Sequence, residues 1–414
     1  MSLRDRAKEL FKVACEAADP GIALSRALQD HPLPVPGPGG RLRIVAIGKA
    51  AVPMAEALLP QLHAPFEALV VTNYENARPV AGAVVHAAGH PVPDENGEKA
   101  AIAVEALLLN ARAADRVVAL ISGGGSALLP APVTGVTLAE KAEVSRLLLG
   151  AGVDIAQLNL VRQGLSRLKG GGLLRAAQPA PVTAYILSDV IGDDLRVIAS
   201  GLTVAPVGSR QDARNLLETL DLWPRLPESV RAALSRSETA TSAVAATNLL
   251  IGSNRKSLEA VVAAAGAGAR IASDALTGDV ADAAAQVIAA AEAGQGDTLV
   301  FGGETTVILR GTGLGGRNQE LALRVALTMP DLGRPWVFLS GGTDGRDGPT
   351  EAAGGLVDAG TAGRIVAAGG DPVALLADND SNRALALAGD LLVTGATGTN
   401  VADVQILLLG PKTA

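Results

Sequence analysis

The chain has 414 residues, enough for two or three domains with sizeable cores. Hydrophobic residues make up 48% and aromatic ones only 2%, so those cores must be built from Leu, Val, Ile and Ala. A net charge of −7 argues against a nucleic-acid binder, which shows a basic face, and a single cysteine, Cys15, leaves no intrachain disulfide and no Cys/His zinc spacing.

The N-terminal stretch MSLRDRAKELFKVACEAADPG predicts an amphipathic helix with charges throughout, not a signal peptide. Cys15 falls in its apolar pattern with Ala7, Leu10, Phe11 and Ala14 and reads as a small core residue. No run of about 18 uncharged apolar residues follows, so no membrane span and a cytoplasmic protein are expected.

Strands and helices then alternate. Arg43–Ile47 predicts a strand ending in Gly48-Lys49, followed by a helix over Ala51–Leu62. Ala68–Thr72 is a second strand. Pro91–Gly97 is a turn before a long helix, Glu98–Ala111. Arg116–Ser122 is a strand that stops in Gly123-Gly124-Gly125-Ser126, and Thr183–Ser188 is one that stops at Asp189. Such alternation implies a parallel sheet. Residues 204–247 carry Pro, Ser and charge and read as a helical connector near a domain boundary, giving domains 1–240 and 241–414. The second half predicts a helix at Arg255–Ala265, strands at Thr298–Phe301 and Thr306–Leu309, and a helix at Gln319–Thr328. Further strands follow at Val337–Leu339, Leu391–Val393 and Asp403–Leu409.

Glycine, at 48 residues, exceeds ordinary usage of about 7%, and it gathers at strand ends. Five strands share one design, an apolar run, then glycine or serine, then a polar residue: Gly48-Lys49, Gly123–Ser126, Ser188-Asp189, Gly302-Gly303-Glu304 and Ser340–Asp344. Ligands of open α/β sheets bind outside the carboxyl ends of strands, so endings in both halves suggest a site in a cleft between two domains.

The segment WVFLSGGTDGRDGPTEAAGG carries Asp344 and Asp347 on a Gly-rich loop, hard carboxylates suited to Mg²⁺ beside a phosphorylated substrate. Lys49 stands where a phosphate would meet a point charge, although no Walker A motif surrounds it. The glycine run Gly123, Gly124, Gly125 with Ser126 makes an anion cradle and not a nucleophile elbow, since position 128 is leucine. Asp189 directly follows its strand and suits a metal or a hydroxyl. Asp193 and Asp194 read as a turn and helix cap, and His90 as a structural loop residue. Gly311–Gly316 is a literal GxGxxG between a strand and a helix, the context of a dinucleotide site. Against it, polar residues open the helix, and the acid expected about 20 positions on would fall near Trp336, the nearest strand-end acid being Asp344. Arg317, where that loop becomes helix, offers a fork to carboxylate or phosphate. Asn400 in TGATGTN fits a turn or a polar contact.

Eight ordered blocks are VAIGKAA, GHPVPDENG, LISGGGSALLPAP, LNLVRQGLSRLKGGGL, SDVIGDDLRVIASG, GGRNQE, LSGGTDGRDGPT and TGATGTNVADV. Together, over nearly the whole chain, they resemble the class II glycerate kinases, glycerate 2-kinases with a C-terminal MOFRL domain. One departure is Ser200-Gly201-Leu202-Thr203, where that family would have SGPT. The resemblance implies two α/β domains, a Rossmann-like parallel sheet first and a MOFRL domain second, with the active site in the interdomain cleft. It implies phosphoryl transfer from ATP, with Mg²⁺, to the 2-hydroxyl of D-glycerate, and site residues Lys49, Asp189, Arg317, Asp344 and Asn400.

Phosphoryl transfer depends on positioning and charge neutralisation. Lys49 and Arg317 would neutralise charge, Asp189 would orient or deprotonate the hydroxyl, Asp344 with Asp347 would hold Mg²⁺, Gly123–Ser126 would cradle an anion, and Asn400 would add a polar contact. The rivals are an NAD(P)H-dependent hydroxypyruvate reductase using Gly311–Gly316 and a non-catalytic sugar-acid sensor. ATP and D-glycerate are the expected partners, without nucleic acid or membrane. A homo-oligomer is left open.

Overall fold

Strand β1 (Leu42–Ile47) is buried along its whole length, as expected of a central strand covered on both faces. In the computed structural model, which describes residues 1–237 and 245–412, it sits inside a six-stranded sheet. The others are β2 (Phe66–Asn73), β3 (Val84–Ala88), β4 (Arg116–Ile121), β5 (Val182–Leu187) and β6 (Thr247–Gly252). Their order is β3-β2-β1-β4-β5-β6, and β1 to β5 pair in parallel. This is the strand order of the doubly wound dinucleotide-binding fold, whose connections reverse direction between β1 and β4.

One face of this sheet packs Ile44, Val70, Val118, Leu120 and Tyr185 against the helices Pro20–Asp30 and Ala51–Leu58. Each aliphatic side chain so buried contributes about 1.5–3 kcal/mol. The long helix Glu95–Leu109 starts where the turn was expected, with the Asp94 carboxylate accepting from the Gly97 amide at 2.9 Å. The segment read as a helical connector is helical and packs into a core of its own. Helices Arg210–Thr219 and Glu228–Leu234 join Leu138–Gly150 and Ile155–Gly164 around an aliphatic cluster of Val144, Leu148, Val161, Leu217 and Val230.

A second sheet is built from β7 (Ala269–Ser273), β9 (Thr298–Gly303), β11 (Trp336–Gly342), β12 (Gly354–Asp358), β13 (Leu391–Leu392) and β14 (Asp403–Leu409). A separate two-stranded ribbon joins β8 (Gly278–Asp279) to β10 (Thr305–Thr306). The order is β13-β12-β11-β14-β9-β7, and this sheet is mixed: β11 runs antiparallel to β12 and β14, and β14 to β9, while β7 and β9 are parallel. The parallel pattern of the first half therefore does not extend to the second. Of the strand expected at Thr306–Leu309 only Thr306 pairs, in the two-residue β10.

Period-two alternation sends Trp336 and Phe338 to one face, under helices Val280–Glu292, Arg317–Thr328 and Ser381–Ala388. Val337 and Leu339 go to the other face, under Asn254–Ala265 and the N-terminal helix Leu3–Ala17. Leu10 and Phe11 cover that second face together with Leu258 and Val261. The contacts accordingly divide the chain out of sequence order. One unit comprises Ala23–Ser188 and Asp193–Ile251, the other Met1–Ile22, Asp189–Gly192 and Gly252–Ala414. The first 22 residues, grouped with domain 1–240 on sequence, thus pack with the C-terminal unit, and the boundary drawn between 240 and 241 lies outside the described residues. Among those residues no helix is long and apolar enough to cross a membrane.

Candidate active site

In the first unit, β1 and β4 end side by side where the sheet changes direction, the place where such folds bind ligands. Gly48 has a φ of +123°, and a Cβ there would lie 2.2 Å from the Ser122 hydroxyl, so only glycine lets the two strand ends approach this closely. The Lys49 amide donates to the Gly123 carbonyl at 2.9 Å and the Ala50 amide to Ser122 Oγ at 3.0 Å. Gly124, with φ +85°, has the Lys49 side-chain stem and the His90 ring on its open side, 3.1 and 3.2 Å from where a Cβ would stand. His90, read from sequence as a loop residue, thus shares the crevice with Lys49. Burial, and then the Lys49 charge, push its pKa down, favouring the neutral ring.

Ser126 is fixed by a polar chain. The Lys169 ammonium donates to Ser126 O at 2.8 Å and Oγ at 3.1 Å. Ser126 Oγ meets Ser200 Oγ at 2.7 Å, and Ser200 in turn donates to Asn159 Oδ1 at 2.8 Å. With the single Ser200 proton given to Asn159, Ser126 must donate to Ser200. Ser126 is thereby held as a donor rather than freed as a nucleophile. The structure brings Lys49 beside the Gly123–Ser126 turn. Lys169 and Asn159 had not been singled out as functional residues, although both stand in the block LNLVRQGLSRLKGGGL.

In the second unit Arg317 is the first residue of its helix, after Gly316 as N-cap. Its guanidinium donates to Asp403 twice, Nε to Oδ2 at 2.6 Å and Nη2 to Oδ1 at 2.9 Å, and lies 3.2 Å from Glu304 Oε1. Burial alone would lower the Arg317 pKa, but hydrogen bonds and charge from Asp403, then Glu304 and Asp347, push it further up. Asp403 is fully buried. Desolvation pushes its carboxyl up to about 6, with Arg317 opposing. Asp403 pairs in register with Gly342 of β11 and Gly303 of β9. The antiparallel start of β14 therefore falls beside two of the glycine-rich strand ends.

The two aspartates proposed as a metal pair separate. Asp344 is exposed, its Oδ1 accepting from the Arg346 amide at 3.0 Å. Asp347 is buried beneath the helix that Arg317 opens. Its oxygens accept from the amides of Asn318 and Gln319, at 3.1 and 2.9 Å, and from Gln319 Nε2 at 2.9 Å. That corrects the reading of Asp347 as a metal ligand: both oxygens are committed to the start of the helix. Burial pushes its carboxyl up, against those hydrogen bonds. Among the described residues no group of three or more His, Cys, Asp or Glu is arranged to hold a metal. A nucleotide-borne Mg²⁺ needs only one or two carboxylates besides phosphate oxygens and water, and exposed Asp344 fits that lesser demand. Asp189 is half-buried, two residues beyond β5. Asn400 is exposed, its side-chain oxygen accepting from the Ala402 amide at 3.2 Å in a local turn.

The GxGxxG loop is occupied by its own chain. Asn379 Oδ1 accepts from the amides of Arg310 and Gly311, Asp378 Oδ1 from Thr312, Asp378 O from Gly313 and Asp380 Oδ1 from Leu314. A dinucleotide pyrophosphate would need those amides and would meet two carboxylates instead. The loop is a structural clasp onto residues 378–381. Its glycines are needed because a Cβ on Gly313 would lie 2.4 Å from that of Asp380.

A doubly wound parallel unit and a mixed-sheet unit, each presenting a cation at glycine-rich strand ends, define a two-part α/β enzyme of anionic substrates. A domain of unknown function (DUF4147) matches residues 6–235, and the MOFRL family matches residues 297–403. A human protein named glycerate kinase is 39% identical over 502 aligned residues, covering 100% of this chain and 94% of the relative. A Thermotoga maritima protein named D-glycerate 2-kinase is 38% identical, covering 99% of each. The crystal structure of a Thermotoga maritima glycerate kinase superposes with a TM-score of 0.91 at 37% identity, covering 98% of this chain and 99% of that one. The chain belongs to the class II glycerate kinase family.

Proposed function

We propose that the protein transfers the γ-phosphoryl group of ATP to the 2-hydroxyl of D-glycerate, forming 2-phospho-D-glycerate and ADP. The observation that carries this reading is the presentation of two cations, Lys49 and Arg317, each at glycine-rich strand ends, in a chain whose full-length relatives are named glycerate kinases. The hydroxyl oxygen attacks the γ-phosphorus, the bond from phosphorus to the β–γ bridging oxygen breaks, and ADP leaves with that bond's electron pair. Asp189 orients the hydroxyl and accepts its proton. Lys49 meets phosphate as a point charge, and Arg317, kept protonated by Asp403, offers a planar fork. The Gly123–Ser126 turn contributes anion contacts, and Asn400 a polar contact. Asp344 would hold Mg²⁺, which neutralises phosphate charge when bound.

The reductase reading loses its support because the loop it needed is closed by Asp378, Asn379 and Asp380. Phosphorus-coupled NMR of the product tests the regiochemistry: coupling to the C2 proton is expected, and phosphate on the C3 oxygen would overturn the assignment.

A further inference from the structure

Of the chain's eight lysines, two lie in the wall of one cavity in the first unit. It measures about 580 Å³, and the helices Leu138–Gly150 and Ile155–Gly164, the 90–93 loop and the Gly124–Ala127 turn contribute to its lining. Lys141 is 6% exposed and Lys169 is 3% exposed, and Arg162 joins them. Among the described residues no aspartate or glutamate lines the cavity. The Lys141 ammonium donates to the Pro130 carbonyl, Lys169 to Ser126, and Arg162 Nε reaches Ser145 Oγ at 3.4 Å. These are neutral acceptors. The neighbouring Arg167 is already paired with Glu105. Buried charges in proteins are paired or hold a ligand, because an ion taken out of water is costly unless an opposite charge meets it. Here burial and mutual repulsion push Lys141 down, and burial with Arg162 pushes Lys169 down to about 7. Such a cluster fits an anion of more than one charge.

The rest of the wall narrows the ligand. Val92, Pro93, Ala127, Leu138 and Leu149 give an apolar surface beside the cations, suited to a flat ring. A three-carbon acid would fill little of such a volume. Gly124 belongs both to the cavity wall and to the crevice holding Lys49 and His90. We propose that this cavity binds the nucleoside triphosphate, its base on the apolar wall, its phosphates on Lys141, Arg162 and Lys169, and its terminal phosphate directed past Gly124 toward Lys49. This assignment rests on the kinase reading and adds to it the place of the phosphoryl donor.

The test uses the full chain, with steady-state kinetics for both substrates and calorimetric titration with ATP and with inorganic tripolyphosphate. Losing one charged contact should raise the KM for ATP at least about tenfold in Arg162→Met and Lys169→Met while the KM for D-glycerate stays within about twofold. In the wild type, tripolyphosphate should compete with ATP and not with D-glycerate, a readout that survives if a variant fails to fold. Val92→Trp, which adds bulk to the apolar wall, should weaken ATP and leave tripolyphosphate unchanged. A KM rise confined to D-glycerate, or tripolyphosphate competing only with D-glycerate, would assign the cavity to the acid and overturn the proposal with the kinase intact. If the wild type forms no ADP from ATP and D-glycerate, the kinase reading fails and titration alone decides. ATP binding lost in Arg162→Met would then uphold the nucleotide site, and absence of wild-type ATP binding would overturn it.

Discussion

The Arg317 guanidinium is gripped by the Asp403 carboxylate through two hydrogen bonds of 2.6 and 2.9 Å, with Asp403 wholly buried and Arg317 about one-third exposed. One edge of the fork is thus fixed from behind, and the residue becomes a preorganised donor. Asp403 acts through Arg317 and is a positioning residue. Asp403→Asn should lower kcat/KM by roughly 10- to 100-fold, the worth of one charged hydrogen bond. The fall should sit mainly in kcat, and Asp403→Glu should restore part of it. A loss of melting temperature with unchanged kinetics would reduce Asp403 to a structural role.

The same carboxylate gives stability a pH dependence. Burial pushes Asp403 up to about 6, whereas an unfolded aspartate titrates near 3.9. Between those values the folded chain holds more protons than the unfolded one, so this group's contribution falls as pH rises from about 4 to about 6 and is level above. Asp403→Asn has no such titration. Its unfolding free energy relative to wild type should therefore rise across that window, by an amount on the order of 3 kcal/mol. A relative fall would mean that Arg317 outweighs burial and holds the carboxyl low.

Asp347 should behave as a helix cap. Asp347→Ala strands the amides of Asn318 and Gln319 and should cost about 1–2 kcal/mol in urea unfolding, leaving the Mg²⁺ concentration dependence of activity unchanged. Unchanged stability with a weakened Mg²⁺ response would restore the metal role.

The glycine clasp makes its own prediction. Gly313→Ala would push a methyl against Asp380 and the Asp378 carbonyl, 2.4 and 2.6 Å away, and should destabilise by about 1–3 kcal/mol. NADH titration should show no binding to either form. NADH bound by the wild type and lost in the variant would revive the dinucleotide reading.

Much of this was legible in the sequence because buried parallel strands read as apolar runs, and β1, β4 and β5 end in residues that stand out: Lys49, the glycine run and Asp189. Asp403 escaped because it begins its strand. Only antiparallel pairing, invisible to strand-end spacing, lays it beside Gly303 and Gly342. Asp344 and Asp347 looked equivalent three residues apart, but a tight turn sends one to solvent and the other under a helix. Lys141 carries no local signal, and Lys169 only its place before the run Gly170-Gly171-Gly172. Their partnership comes from helix packing around a cavity whose lining spans residues 90 to 169. GxGxxG misled because the spacing records glycine's permissiveness, which here serves close packing on residues 378–381.

The most direct measurement is a paired assay on the purified chain: ADP formation with ATP, Mg²⁺ and D-glycerate, and NADH loss with hydroxypyruvate. The account predicts ADP formation that collapses in Lys49→Ala and Arg317→Ala, with no NADH oxidation. NADH oxidation without ADP formation, or near-normal kcat/KM in both variants, would contradict it.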